Sequence, residues 1–218
     1  MALKLERYKS IVSGTEASAL EEAVRNLLIH YFFHVSDKRI LQVRAGGTTV
    51  NLLTPAVFKG VGRIVLSPTT VFGVPRSPGS YACSYVEART RTALIELGDG
   101  TVLNNRAMML SEGAGIRIGN RCLIGAEFEV MDTNAHELAL GRRHEADTRP
   151  LAVEIGDDVF IGNKVIILKG CRIGNGCVIA AGSVLPPKFI APAMSVIAGN
   201  PAKIIGQVPG GRPDNELI

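Results

Sequence analysis

Between residues 155 and 184 the chain repeats every six positions, as IGDDVF-IGNKVI-ILKGCR-IGNGCV-IAAGSV. An aliphatic residue heads each unit: Ile155, Ile161, Ile167, Ile173 and Ile179. A small residue usually follows (Gly156, Gly162, Gly174, Ala180), and a small or β-branched residue stands four places after the head (Val159, Val165, Cys171, Cys177, Ser183). A period of six is neither the 3.6 of a helix nor the alternation of a single strand. It predicts a parallel β-helix in which each unit is a short strand plus a corner. The heads are expected to point inward and stack from coil to coil, and the small residue after each to let the backbone turn, where glycine is least restricted. Three units close a triangular coil of 18 residues, and successive coils are expected roughly 4.8 Å apart. Such a solenoid buries each coil only against its neighbours and needs caps at its ends.

Outside this stretch the frame is fainter. Leu66 and Phe72 fit it, then Leu97, Leu103 and Met109. A slip of three residues near 111–115 precedes Ile118, Ile124 and Val130. Residues 74–91, rich in Pro, Ser and Tyr, read as a loop or edge excursion. Residues 131–153 carry no hexads and are predicted to be a loop ejected from a corner, a place where solenoids often put function. A last coil is expected over residues 196–206, and the polar tail 207–218 is expected to be disordered. Residues 1–60 show no hexads. Within them, residues 18–33 read as an amphipathic helix with Leu20, Val24, Leu27, Leu28, Tyr31 and Phe32 on one face and Thr15 as its cap. Residues 38–50 alternate weakly and suggest one or two strands. The expected fold is therefore all-β, with a small N-terminal α/β cap over 1–60, the β-helix over 61–206 and a tail.

Composition agrees with stacked aliphatics: 46% of residues are hydrophobic and only 5% aromatic. No apolar run approaches the roughly 18 residues of a membrane span. The opening MALKLERYKS lacks an apolar core of the signal-peptide kind, so a cytoplasmic location is expected. The net charge of +4 is dispersed, and no recognition-helix or RNA-module motif is present, which argues against nucleic acid. Of the four cysteines, Cys122, Cys171 and Cys177 fall at the small position of a hexad and Cys83 does not. Buried reduced thiols are expected, with no metal-site spacing.

These hexads resemble those of the hexapeptide-repeat acyltransferases, whose coils form a left-handed β-helix, against the usual right-handed crossover rule. Within that family the ejected loop, with Asp132-Thr133-Asn134-Ala135-His136, is similar to the loop of galactoside, maltose and polysaccharide O-acetyltransferases that presents a catalytic His, although Glu137 stands where a Pro is usual there. The resemblance implies an acetyl-CoA-dependent O-acetyltransferase acting on a sugar, a sugar nucleotide or a cell-surface polysaccharide, with His136 as general base. A neutral imidazole, titrating near ~6.5 in water, can take the proton of an attacking hydroxyl. Its second ring nitrogen would need an acceptor, a backbone carbonyl or Glu137. His144, beside Arg142 and Arg143, is the competing loop histidine; His30 and His34 lie in the predicted helix. The resemblance also implies acceptor contacts at Asn104, Glu112 and Phe160, coenzyme A contacts at Asn163, Ala181, Pro201 and Lys203, no metal, and a homotrimer with each active site between two subunits. Two alternatives stand beside it: an amino-sugar N-acyltransferase or antibiotic acetyltransferase, and a non-catalytic scaffold or a zinc-dependent carbonic-anhydrase-like relative.

Overall fold

The computed structural model describes residues 17–35, 41–44 and 50–210. Twenty-one short strands wind into three sheets, of seven, eight and six strands. Each sheet is one face of a triangular prism. The first face includes Ile116–Ile118, Val153–Ile155 and Arg172–Ile173; the second Val102–Leu103, Leu123–Ile124, Phe160–Ile161 and Val178–Ile179; the third Met108–Ser111, Glu129–Met131 and Ile166–Ile167. All pairings are parallel except the last.

The register makes the repeat visible in space. Ile155 pairs with Ile173, Ile161 with Ile179 and Ile167 with Leu185, each 18 residues on. Met109 pairs with Val130, 21 residues on, so the slip at 111–115 is absorbed at a corner. Val130 pairs with Ile167, 37 residues on: one coil plus an ejected loop. The five heads and the five residues four places after them are all buried. So are Cys122, Cys171 and Cys177. Burial pushes the Cys171 thiol up to about 11, which keeps it protonated and inert.

The small residue after each head has a different role from the one expected. The turns fall two places later. Asp158, Lys164, Gly170, Gly176, Gly182, Lys188 and Met194, one every six residues, all have positive φ. Gly162 and Gly174 do not; a Cβ on them would stand 2.5 Å from the Ala181 nitrogen and 2.4 Å from the Ala193 nitrogen of the next coil. These glycines permit stacking, and the corner is turned by the residue at the third place after the head.

The ends also differ from expectation. The solenoid already begins at Leu41–Val43, which pairs with Arg63–Leu66, and continues through Asn51–Leu52 and Ala56–Gly60. These residues fall within the stretch assigned to a cap, where irregular coil lengths hid the frame. Likewise Ser84–Ala88 is a strand of the third face, so the excursion is confined to residues 73–83. The helix runs over Ala17–Val35 and lies against Ala56–Gly60, the edge strand of the third face. Leu20, Val24, Leu28 and Ile29 are half-buried, whereas Leu27 and Tyr31 are exposed. One contacting sheet edge covers a narrower stripe than a full amphipathic face. Thr15, most of residues 38–50, the Phe32 side chain and residues 211–218 lie outside what is described. At the far end the expected last coil is a hairpin: Ala202–Gln207 folds back antiparallel on Ser195–Gly199.

The two glycine roles are separable by urea unfolding. Gly174→Ala is expected to lower stability by about 1–3 kcal/mol through overpacking against a fixed backbone. Lys188→Gly, which relieves a left-handed residue worth roughly 1–2 kcal/mol at the entropic cost of a glycine, is expected to leave stability unchanged or raise it by up to about 1 kcal/mol.

Candidate functional site

Two neighbouring features stand apart from the repeating scaffold. One is a groove of about 480 Å³ along the second face, lined by Val102, Asn104, Leu123, Phe160, Asn163 and Ala181 among others. The other is the loop of residues 132–152, which leaves from the far edge of the third face.

The groove is assembled by periodicity. Asn104, Asn163 and Ala181 occupy equivalent corners between the second and third faces, and Phe160 and Leu123 stack outward on adjacent strands. The Phe160 ring is 51% exposed. Asn163 Oδ1 accepts the Ala126 N–H at 2.8 Å, fastening one coil to the previous one at the groove rim. Asn104 Oδ1 accepts the Asn105 N–H at 2.7 Å, and its amide NH₂ has no partner among the described residues. The buried Asn105 does something that spacing could not reveal. Its Oδ1 accepts from Val74 N–H, and its Nδ2 reaches the carbonyls of Val74, Ser77 and Pro78 at 3.0–3.1 Å. It clamps the 73–83 excursion against the groove, where Val74 forms part of the wall. Pro201 and Lys203, both exposed, sit on the closing hairpin of the same face; Lys203 is two strands beyond Val178–Ile179, roughly 10 Å at ~4.8 Å per strand.

The loop is held from inside by buried polar groups. The Asp132 carboxylate is fully buried and accepts from Ser111 Oγ (2.7 Å), Glu112 N (2.7 Å), Gly113 N (3.3 Å) and Gly115 N (2.8 Å). The three-residue slip thus forms a nest of N–H groups around this carboxylate. The neck is closed by Leu151 N–H on the Asp132 carbonyl at 2.8 Å. Glu112 is not a free acceptor contact: Arg89 donates to its Oε1 at 2.7 Å and Thr133 Oγ1 to its Oε2 at 2.7 Å, so its carboxylate ties the loop to the third face. Glu137 also faces inward. Its Oε1 accepts from the Thr148 hydroxyl at 2.5 Å and N–H at 3.1 Å, which hold the carboxyl below its usual range. It is therefore committed away from the role of orienting His136.

Deeper still, Asp147 Oδ2 binds the Lys169 ammonium and accepts the Asn134 N–H at 2.9 Å, while Oδ1 accepts from Arg149 N at 3.0 Å. Lys169 also donates to the Arg149 carbonyl at 2.9 Å. Burial alone would raise the Asp147 carboxyl; the Lys169 ammonium and the two N–H groups outweigh it and hold it at about 2. Neither Asp147 nor Lys169 stood out in the sequence: the lysine occupies a corner of a regular hexad, where a cation is ordinarily solvated.

His136 follows Ala135, whose φ is 62° and whose N–H is tied to Thr133 Oγ1 at 2.9 Å. The imidazole is exposed and has no hydrogen-bond partner among the described residues. His144 is exposed at the loop tip beside the Arg142–Glu145 ion pair. The tip also carries Leu138 and Leu140, 70% and 83% exposed. His136 does not line the groove; the width of the third face separates the corner that emits its loop from the corner bearing Asn104, Asn163 and Ala181. Among the described residues no group of three His, Cys, Asp or Glu is placed to hold a metal ion, and no helix is long and apolar enough to cross a membrane.

Comparison with known proteins places the chain among relatives. Residues 152–187 match the family described as bacterial transferase hexapeptide (six repeats). Serine acetyltransferase 4 of Arabidopsis thaliana is 35% identical over 105 residues, 47% of this chain and 27% of that protein. A Saccharomyces cerevisiae protein named as an acetyltransferase is 36% identical over 114 residues, 52% of this chain and 56% of that protein. The chain thus spans about half, or less, of the length of these curated relatives. Among solved structures, the hexapeptide-repeat acetyltransferase VCA0836 of Vibrio cholerae, complexed with acetyl coenzyme A, superposes with a TM-score of 0.51 at 23% identity, covering 90% of this chain and 91% of that one. The polysialic acid O-acetyltransferase OatWY gives 0.56 at 22% identity, covering 79% and 88%. The shared fold is the left-handed parallel β-helix.

The Asp147 carboxyl, lowered from 3.8 to about 2, favours the folded loop at every pH above its unfolded value. The contribution, on the order of 2 kcal/mol, is fully present above about pH 4 and is lost as pH falls towards 2. A thermal-midpoint titration is expected to decline through that window, and Asp147→Asn to flatten the decline.

Proposed function

We propose that this chain, a left-handed β-helix built on the transferase hexapeptide, is an acetyl-CoA-dependent O-acetyltransferase that acetylates a hydroxyl of a sugar or cell-surface polysaccharide precursor. The observation that carries the reading is an exposed, unpartnered imidazole presented by a loop whose own polar groups are all committed to holding it. His136 accepts the proton of the attacking hydroxyl as that oxygen bonds to the thioester carbonyl carbon. The tetrahedral intermediate then collapses, the C–S bond breaks, and the imidazolium returns its proton to the departing coenzyme A thiolate. No acyl-enzyme is required, because the thioester is already activated.

The groove on the second face is the proposed donor channel. Val102, Leu123 and Phe160 offer it apolar contact, Asn163 and Ala181 line its rim, and Lys203 on the closing hairpin supplies a point charge for a coenzyme A phosphate, with Pro201 beside it. Asn104, with its unpaired amide NH₂, is the proposed acceptor contact. Since His136 and this groove lie at different corners of one chain, the reading puts the loop of one copy over the groove of another, in a homotrimer of closed symmetry. The exposed Leu138 and Leu140 at the loop tip, and Leu123 and Phe160 in the groove, are apolar surface that such an assembly would cover. Relatives named for serine acetylation and for tetrahydropyridine-dicarboxylate N-acetylation make an amine or amino-acid acceptor the second reading.

Thiol release from acetyl-CoA is measured against a galactoside, an oligosialic acid, an amino sugar and serine, with the native protein and His136→Ala. Turnover with a sugar hydroxyl, falling 10²-fold or more in the variant with the KM for acetyl-CoA unchanged, is the expected result. Turnover that survives the substitution would place the base elsewhere, and acetylation confined to amines would select the second reading.

A further inference from the structure

We infer that Lys169 and Asp147 are positioning residues for His136: a buried ion pair, contributed partly by the next coil, that sets the turn presenting the imidazole. The inference rests on the proposed role of His136 as the base.

The geometry is specific. Lys169 belongs to the corner after Ile166–Ile167, the coil beneath the loop. Its ammonium reaches up to Asp147 and the Arg149 carbonyl, both on the returning arm. Asp147 in turn crosses to the outgoing arm and takes the Asn134 N–H at 2.9 Å. Asn134 is followed by Ala135 in the left-handed region, with its N–H closed onto Thr133 Oγ1. His136 comes next. Its ring has no bond of its own within the described residues, so the direction of its side chain is set by this turn alone.

A charge pair is a poor way to gain stability here. Both side chains are nearly out of water, 11% and 3% exposed, and desolvation offsets most of their attraction. What the pair provides is geometry. One carboxylate can accept from Lys169, Asn134 and Arg149 together only if both arms and the coil below are in register. An apolar pair of similar volume would fill the same space without fixing the Asn134–Ala135 peptide. Misplacing a catalytic group by about 1 Å can cost 10²-fold in rate, so a device that fixes the turn beneath an otherwise unsupported base bears directly on turnover.

The test uses the full chain carrying Lys169→Met, Lys169→Arg and Asp147→Asn, each with and without His136→Ala. Two readouts are taken: steady-state acetyl transfer from acetyl-CoA to whichever acceptor of the panel above is used best, and hydrogen exchange at the Asn134 and Ala135 amides. Lys169→Met is expected to lower kcat about 10- to 100-fold with KM for acetyl-CoA within about twofold. Lys169→Arg should recover a substantial part, since a guanidinium can bridge Asp147 and the Arg149 carbonyl. In the His136→Ala background Lys169→Met should add almost nothing, because a positioning residue acts only through the group it positions. Exchange at both amides should quicken in Lys169→Met and Asp147→Asn while the strand amides stay protected. Unchanged exchange, a kcat within twofold of native, or a loss as large without His136 as with it would each overturn the inference. Asp147→Asn keeps the shape of the site and gives both readouts if Lys169→Met does not fold. The exchange measurement needs neither acceptor nor catalysis. A native-like rate for His136→Ala together with quickened exchange would therefore retire His136 as the base and leave the anchoring of the turn standing.

Discussion

The spacing at which one coil rests on the next governs everything else in this protein. Strands in a sheet lie about 4.8 Å apart, and a coil bonded to its neighbours on three faces cannot deviate from that rise. The rise dictates a buried aliphatic at each head, because heads stack in columns such as Ile161 on Ile179. It dictates a glycine or alanine after the head, because the backbone above passes within contact distance of that Cβ. It also leaves the outward positions unconstrained, which is why charge ladders such as Glu96–Arg117 and Glu154–Arg172 can occupy the first face. A site is then made either by repetition, as in the groove, or by interruption, as in the loop.

The repeated part was legible in the sequence and the interrupted part was not. Residues 155–184 declared both the period and the inward positions, because each has the same environment in every coil. The same logic placed Asn104, Phe160, Asn163 and Ala181 on one groove. The first coils were harder to recognise because their partners are 20 to 31 residues apart instead of 18, so no fixed frame survives. Glycine was visible as a requirement, yet its reason was misread: the residue that turns the corner can be Asp, Lys or Met, whereas the residue that must be small is the one being overlaid.

In the loop, sequence pointed to His136 but not to what surrounds it. Asp132, Glu112 and Glu137 look like solvated acids when read in order. Their partners lie 17 to 21 residues away in two cases and 11 in the third, beyond any local pattern. Lys169 is the plainest instance. Its own hexad, Ile-Leu-Lys-Gly-Cys-Arg, gives no hint that the ammonium is buried, because the carboxylate that neutralises it comes from a segment the repeat does not control.

The closing hairpin carries a consequence of another kind. A parallel stack is open-ended: its final strand offers unpaired N–H and C=O groups to any similar edge, and a solenoid could in principle grow by docking the start of one molecule on the end of another. On the second face that edge is occupied by Ala202–Gln207, running in the opposite direction, and the terminal strands of the other two faces, Ile190–Ala191 and Val184–Leu185, are only two residues long. The helix against Ala56–Gly60 lies over an edge strand at the opposite end. A reversed strand and a laid-on helix are thus what keep a molecule made of stackable layers from becoming a fibre.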